Sequence, residues 1–98
     1  MSRIELAPEL EEDIDRILDH LAGYAVDDVP SRIGEIIQAI DVLERNPFIG
    51  RPVDGNKREL VIGRRSRGYL ALYRYVAEID TVFVLALRSQ REAGYTRA

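Results

Sequence analysis

The sequence predicts an α+β domain in which a helical hairpin packs on one face of a mostly antiparallel sheet, in the order β-α-α-β-β-β. Two segments in the first half place apolar residues at three- and four-residue steps, which is typical of amphipathic helices. The second half instead alternates apolar and polar residues with a period of two, which is typical of strands. A length of 98 residues fits a single domain spanning residues 1–98.

The first half predicts one strand followed by two helices. Residues 3–7 alternate charged and apolar side chains and predict a short strand. Pro8 begins the first helix, and Gly23 is a typical stop. The second helix begins around residues 27–30, where aspartates precede a proline, and ends at Asn46 and Pro47. The acidic residues of the first helix are expected to form its solvated outer face: Glu9, Glu11, Glu12, Asp13, Asp15 and Asp19.

The second half predicts three strands after a loop. Residues 48–57 are rich in glycine, proline and asparagine, which predicts a loop. Strands are predicted at 58–62, 69–77 and 81–87, and the last is apolar on both faces, so we expect it to be the most central strand. The packing scheme buries Ile36, Ile40, Leu72 and Leu85.

The composition excludes several classes of chemistry. The chain has no cysteine, which excludes disulfides, zinc–thiolate sites and thiol nucleophiles, and its single histidine cannot form a multi-histidine site. The glycines match no phosphate-binding spacing. We therefore predict neither a metal nor a cofactor. No apolar run approaches a membrane span and the N-terminus does not look like a signal peptide, so we expect a cytoplasmic protein.

Charge is segregated along the chain. Residues 1–50 carry four arginines against 12 acidic residues, a net of −8, whereas residues 51–98 carry ten basic residues against five acidic ones, a net of +5. Only one of the 14 basic residues is a lysine. The guanidinium group offers a planar fork of donors that suits carboxylates and phosphates. The basic half is therefore expected to face an acidic protein or a nucleic acid.

The candidate binding residues are arginines of this basic half. Arg64, Arg65 and Arg67 precede the strand at 69–77, Arg74 interrupts its apolar face, and Arg88, Arg91 and Tyr95 follow the last strand. Because neighbouring strands lie about 4.8 Å apart, we expect Arg74 and the residues after Leu87 to converge at one edge or face of the sheet. Such a set can bind an acidic peptide, grip a phosphate or hold a scissile phosphodiester. The alternative is a solvated face with charged rims.

Four segments together resemble one known family. They are the Asn-Pro-Phe-Ile-Gly-Arg-Pro-Val segment at 46–53, the Arg-Glu-Leu-Val-Ile-Gly segment at 58–63, the Tyr-Leu-Ala-Leu-Tyr-Arg-Tyr segment at 69–75, and the segment 84–95, in which Arg91 precedes Tyr95. In this order the chain resembles the RelE/ParE toxins of type II toxin–antitoxin systems over essentially its whole length. The resemblance implies the RelE/ParE fold, in agreement with the predicted order of elements.

The resemblance implies one of two activities. RelE-like members are ribosome-dependent endoribonucleases whose arginines stabilise the cleaved phosphate and whose C-terminal tyrosine or basic group assists proton transfer; here Arg74, Arg91 and Tyr95 would take these parts. ParE-like members share the fold and inhibit DNA gyrase by binding. Leu70 stands where RelE-like nucleases carry an arginine, and Lys57 is alone ahead of that strand, so we favour the ParE-like alternative. A binding module without toxicity is a third alternative.

The resemblance also implies a protein partner. Such toxins are neutralised by an antitoxin whose acidic tail folds over the toxin, here a ParD-like protein with a ribbon-helix-helix N-terminus that alone would contact operator DNA. The net charge of the second half agrees with an acidic tail. We expect antitoxin contacts at Arg64, Arg65, Arg67, Arg74 and Arg88, and contacts with the gyrase target at Arg88, Arg91 and Tyr95.

Overall fold

The computed structural model describes residues 1–23, 29–63, 68–90, 92, 94 and 95. Within these residues the chain forms two helices and five strands, in the order β1 (Arg3–Leu6), α1 (Leu10–Gly23), α2 (Val29–Asp41), β2 (Arg51–Val53), β3 (Lys57–Ile62), β4 (Tyr69–Val76) and β5 (Thr81–Ser89). A 3₁₀ turn, Val42–Glu44, continues α2, so the predicted helix divides into an α-helix and this turn. The aspartates predicted to begin the second helix lie outside the described residues.

The five strands form one mixed sheet in the order β1-β5-β4-β3-β2. β1 runs parallel to β5, and the other neighbours are antiparallel, which confirms the predicted α+β class. The prediction that the last strand is the most central is wrong, because β4 is the middle strand and β1 flanks β5. A strand whose two faces are both apolar is expected to be buried on both sides, but this pattern does not determine its position in the sheet. β4 is equally buried from Tyr69 to Tyr73, but its tyrosines and Arg74 make its sequence less apolar.

One strand lies where the sequence predicts a loop. Arg51–Val53 pairs with the beginning of β3, with Arg51 opposite Glu59 and Val53 opposite Lys57. Gly55 and Asn56 connect the two strands with positive φ angles of 78° and 61°, which suit tight hairpin turns. The proline in β2 is tolerated because β2 is an edge strand. A strand of three residues is too short to show the alternation of apolar and polar residues from which strands are predicted.

The core lies between the two helices and one face of the sheet. It is formed by Leu10 and Ile17 of α1, by Ile36 and Ile40 of α2, and by strand residues that include Leu60, Ile62, Ala71, Tyr73 and Val84. Three of the four residues predicted to be buried are buried: Ile36, Ile40 and Leu72.

The fourth, Leu85, is only half-buried, so that part of the prediction is wrong. The pairing of β4 with β5 is irregular at this point, because Leu72 lies opposite Ala86 whereas Tyr73 lies opposite Val84. Leu85 is therefore the extra residue of a bulge. A bulge interrupts the alternation of side chains on which the prediction depended.

Asp13 joins helix α1 to strand β5. Its side chain is fully buried, so its assignment to a solvated acidic face is wrong. One carboxylate oxygen accepts the backbone N–H of Leu87 at 3.0 Å, and the other accepts Arg16 Nη1 at 2.8 Å. Arg16 Nη2 also donates to the backbone oxygen of Leu87 at 3.0 Å. A carboxylate tolerates burial when it is paired and hydrogen-bonded in this way.

Asp13→Ala is expected to lower the free energy of unfolding by about 3 kcal/mol, because it leaves the buried Leu87 N–H without an acceptor and Arg16 without its carboxylate. Chemical denaturation followed by circular dichroism measures the loss. Asp15→Ala is the matched control, since Asp15 is exposed on the same helix, and it is expected to change stability by less than about 0.5 kcal/mol. Equal effects in both variants would contradict the role given to Asp13.

Candidate functional site

The face of the sheet opposite the helices carries most of the charged strand residues. Side chains alternate between the faces of a sheet, and the core residues of β3 and β4 point towards the helices. The intervening residues therefore form a second surface, called here the helix-free face: Arg51, Glu59, Val61, Leu70, Leu72, Arg74, Ala86 and Arg88. This surface contains two of the predicted site residues, Arg74 and Arg88.

Glu59 lies at the centre of a hydrogen-bonded cluster on the helix-free face. Only 6% of it is exposed. Its Oε1 accepts Arg51 Nε at 2.9 Å and also pairs with Arg51 Nη2, while its Oε2 accepts the Tyr95 hydroxyl at 2.7 Å. The Arg88 guanidinium lies 5.1 Å from the centroid of the Tyr95 ring, a cation–π distance. The C-terminal tyrosine is thus held against the sheet by an acid and a cation.

The cluster shifts the pKa values of both partners in opposite directions. Burial raises the pKa of the Tyr95 phenol well above its usual value, and the hydrogen bond to Glu59 raises it further. Burial favours the neutral form of Glu59, but hydrogen bonds from Tyr95 and Arg51 outweigh it and lower the pKa of the carboxyl. At neutral pH the pair therefore consists of a phenol that donates and a carboxylate that accepts.

A second anchor holds the beginning of the C-terminal segment to helix α1. Arg16 Nε donates to Glu92 Oε1 at 2.6 Å, and Arg16 Nη2 donates to Glu92 Oε2 at 3.2 Å. The backbone N–H of Ser89 donates to Glu92 Oε2 at 3.0 Å, and Arg88 Nη1 donates to the Glu92 backbone oxygen at 2.7 Å. Glu92 is therefore fixed to helix α1 through Arg16, and to Arg88 and Ser89 at the end of β5.

The predicted convergence of arginines is confirmed only in part. Arg88 and Tyr95 come together, and Arg74 lies on the same face. However, Arg88 pairs with Leu70, four residues before Arg74, which separates the two arginines by about 13 Å along the strand at about 3.3 Å per residue. Four predicted residues lie outside the described part of the chain: Arg64, Arg65, Arg67 and Arg91.

Sequence reasoning missed Glu59, which organises the helix-free face. As one acid among basic residues, it gave no reason for separate attention. The signal that could have identified it is the pairing of Arg51 with Glu59, and that register depends on a strand which the sequence predicts as a loop.

A buried tyrosine holds the loop that precedes β2. The Tyr73 hydroxyl accepts the N–H of Gly50 at 2.8 Å and donates to the backbone oxygen of Pro47 at 2.9 Å. A Cβ at position 50 would lie 2.6 Å from Tyr73 Cε1, so only glycine fits there. Arg58 Nη1 donates to the backbone oxygens of Phe48 and Gly50, at 3.2 and 2.8 Å. These bonds hold the Asn-Pro-Phe-Ile-Gly segment at 46–50 against β3 and β4.

The described residues offer no metal centre and no membrane span. No group of three or more histidine, cysteine or acidic residues among them could hold a metal ion. Neither described helix is long and apolar enough to cross a bilayer.

Low pH is expected to remove the contribution of Glu59 to the free energy of unfolding. Its pKa is lower in the folded chain than the ordinary value of 4.5, so the contribution is fully present above about pH 4.5 and is lost as the pH falls through the folded pKa. Unfolding measured between pH 7 and pH 3 should therefore depend less on pH in Glu59→Gln than in the wild type. Glu35→Gln, at an exposed position of α2, should retain the wild-type dependence. The assignment is wrong if the profiles of wild type and Glu59→Gln have the same slope.

The chain resembles known toxins in sequence and in fold. Residues 4–94 match the family model described as the ParE toxin of the type II toxin–antitoxin system parDE. A structure of the chromosomal ParDE system from P. aeruginosa superimposes with a TM-score of 0.73 at 19% identity, covering 91% of this chain and 96% of that chain. A RelBE toxin–antitoxin complex from Mycobacterium tuberculosis superimposes with a TM-score of 0.58 at 19% identity, covering 93% of each chain. A search of curated proteins found no match. The chain belongs to the ParE family of type II toxins.

Proposed function

We propose that this toxin inhibits DNA gyrase by binding and that a ParD-like antitoxin neutralises it in the cytoplasm. The observation that carries the proposal is the match to the ParE family over residues 4–94. The helix-free face supports binding rather than cleavage, because neither Tyr95 nor Leu70 suits a cleavage reaction.

Tyr95 is poorly suited to move a proton in a cleavage reaction. A general base must be available in its deprotonated form near the working pH, whereas the pKa of this phenol is raised and its hydroxyl donates to Glu59. Leu70, at the place where RelE-like nucleases carry an arginine, is 4% exposed and apolar. A lost phosphate-gripping donor commonly costs about 10²–10³ in rate. These features favour a binder.

The proposed target surface is the C-terminal pair, Arg88 with Tyr95, extended by Arg91. The cation and the ring contact each other and lie on the helix-free face. Tyrosine and arginine are the residue types that dominate the energy of protein interfaces. The proposed antitoxin surface uses Arg74 and Arg88, together with the arginines at 64, 65 and 67, which follow β3 in the sequence.

Deletion of residues 95–98 is expected to abolish inhibition of gyrase and leave the core folded. A cut after Leu87 is less suitable, because it removes the end of β5 and the Glu92 carboxylate that binds Arg16. The chain ending at Gly94 keeps both and loses Tyr95. Supercoiling by purified gyrase is the readout, and circular dichroism checks the fold. A Thr96→Ala variant of the full chain is the control and should inhibit like the wild type.

The nuclease alternative gives the opposite pattern in a parallel assay. Induced expression should arrest replication and leave mRNA intact under the gyrase proposal. The proposal is wrong if purified protein cleaves mRNA on programmed ribosomes and Arg91→Ala or Tyr95→Phe stops that cleavage. Expression without any toxicity, with gyrase unaffected, would instead identify a binding module.

A further inference from the structure

Two leucines of β4 are buried although they point away from the helices. Leu70 and Leu72 alternate with the core residues Ala71 and Tyr73, and only 4% and 5% of them are exposed. Neighbouring strands flank such side chains but leave the outer side of the sheet open. Another part of the chain must therefore cover the helix-free face above these two leucines.

Tyr95 crosses β4 at these leucines. Its hydroxyl contacts Glu59 on β3 and its ring contacts Arg88 on β5, and β4 is the strand between them. Glu59 lies opposite Leu72, and Arg88 lies opposite Leu70. A side chain that reaches both Glu59 and Arg88 on this face must pass over the two leucines. The Tyr95 side chain therefore has an apolar surface beneath it, an acid at its hydroxyl and a cation at its ring.

The Tyr95 hydroxyl is used within the chain. It donates to Glu59 Oε2 at 2.7 Å, while the other oxygen of the carboxylate accepts Arg51 Nε at 2.9 Å. A hydrogen bond to a carboxylate is stronger than one between neutral groups. Glu59 is only 6% exposed, so the carboxylate is too deeply buried to bind a second protein itself. Its effect on a partner must pass through Tyr95.

The groups that remain accessible are the ring of Tyr95 and the guanidinium of Arg88. Both residues are partly exposed. Arg88 is also held in place, because its Nη1 donates to the backbone oxygen of Glu92 at 2.7 Å. Side chains that have a single orientation before binding lose less entropy when a complex forms. The ring and the cation are therefore preorganised as one contact surface.

We propose that Glu59 is a positioning residue for the inhibition of gyrase. It binds the Tyr95 hydroxyl, so that the Tyr95 ring and the Arg88 guanidinium meet the target in one fixed arrangement, and it does not contact the target itself. The inference rests on the gyrase inhibition proposed above. It adds a buried acid to that site and assigns the Tyr95 hydroxyl to orientation rather than to contact with gyrase.

The test removes either partner of the hydrogen bond. Glu59→Gln keeps the size of the side chain and removes the charge, whereas Tyr95→Phe keeps the ring and removes the hydroxyl. Each variant is expected to raise the toxin concentration for half-inhibition of supercoiling about fivefold to tenfold. The double variant should be no weaker than either single variant, because both changes remove the same bond. Glu35→Gln is the matched control: it makes the same change of charge at an exposed position of α2 and should shift the concentration less than about twofold.

A spectroscopic readout separates positioning from a general loss of stability. NMR cross-peaks between the Tyr95 ring and the Arg88 side chain should be present in the wild type and in Glu35→Gln. They should weaken in Glu59→Gln while the circular dichroism spectrum stays unchanged. Loss of inhibition by Glu59→Gln with unchanged cross-peaks would overturn the inference, because the ring would then be positioned without Glu59.

The remaining outcomes are distinct for the inference and for the proposed function. Inhibition by Glu59→Gln equal to that of the wild type overturns the inference and leaves gyrase inhibition standing. Additive effects in the double variant would show that the Tyr95 hydroxyl contacts gyrase directly, which also overturns it. If Glu59→Gln does not fold, Tyr95→Phe decides alone, and unchanged inhibition by that variant overturns the inference. A wild-type toxin that does not inhibit gyrase overturns both.

Discussion

The buried carboxylate of Asp13 is the interaction on which the rest of the molecule depends. It accepts the N–H of Leu87 and the guanidinium of Arg16, so helix α1 is fixed to β5 by charge-assisted bonds as well as by apolar packing. Arg16 also donates from Nε and Nη2 to the carboxylate of Glu92. A single acid therefore sets the position of the helix on the sheet and the direction in which the C-terminal segment leaves it. Charge-assisted hydrogen bonds are specific in geometry, which apolar packing alone is not.

A second acid organises the opposite face in a similar way. Glu59 draws Arg51 and Tyr95 onto the sheet, and Tyr95 in turn lies against Arg88. Net positive charge in the second half of the chain is therefore not spread evenly over a solvated surface. Arg51 already has an internal carboxylate, whereas Arg74 is exposed on β4. This difference separates an arginine that builds the surface from one that is proposed to bind the antitoxin.

Periodicity predicted most of the fold because helices and long strands repeat their burial pattern several times. The prediction from periodicity failed where a single local feature, such as a turn or a bulge, determines the structure. The strand Arg51–Val53 depends on a tight turn, and Leu85 is displaced by a bulge. Buried acids were missed for a different reason: Asp13 and Glu59 are stabilised by partners distant in sequence, Leu87 and Tyr95. Residue type selected Arg74, Arg88 and Tyr95 as candidates, but their positions relative to one another on the sheet required the strand register.

Direct binding of the purified toxin to reconstituted DNA gyrase tests the central claim most directly. Sedimentation of labelled toxin with increasing gyrase measures the complex without relying on cell growth. The account predicts a saturable complex that forms without ribosomes, is weakened by Tyr95→Ala, and is lost when excess antitoxin is added. The account is contradicted if the toxin sediments as free protein at every gyrase concentration and the same preparation cuts mRNA on ribosomes.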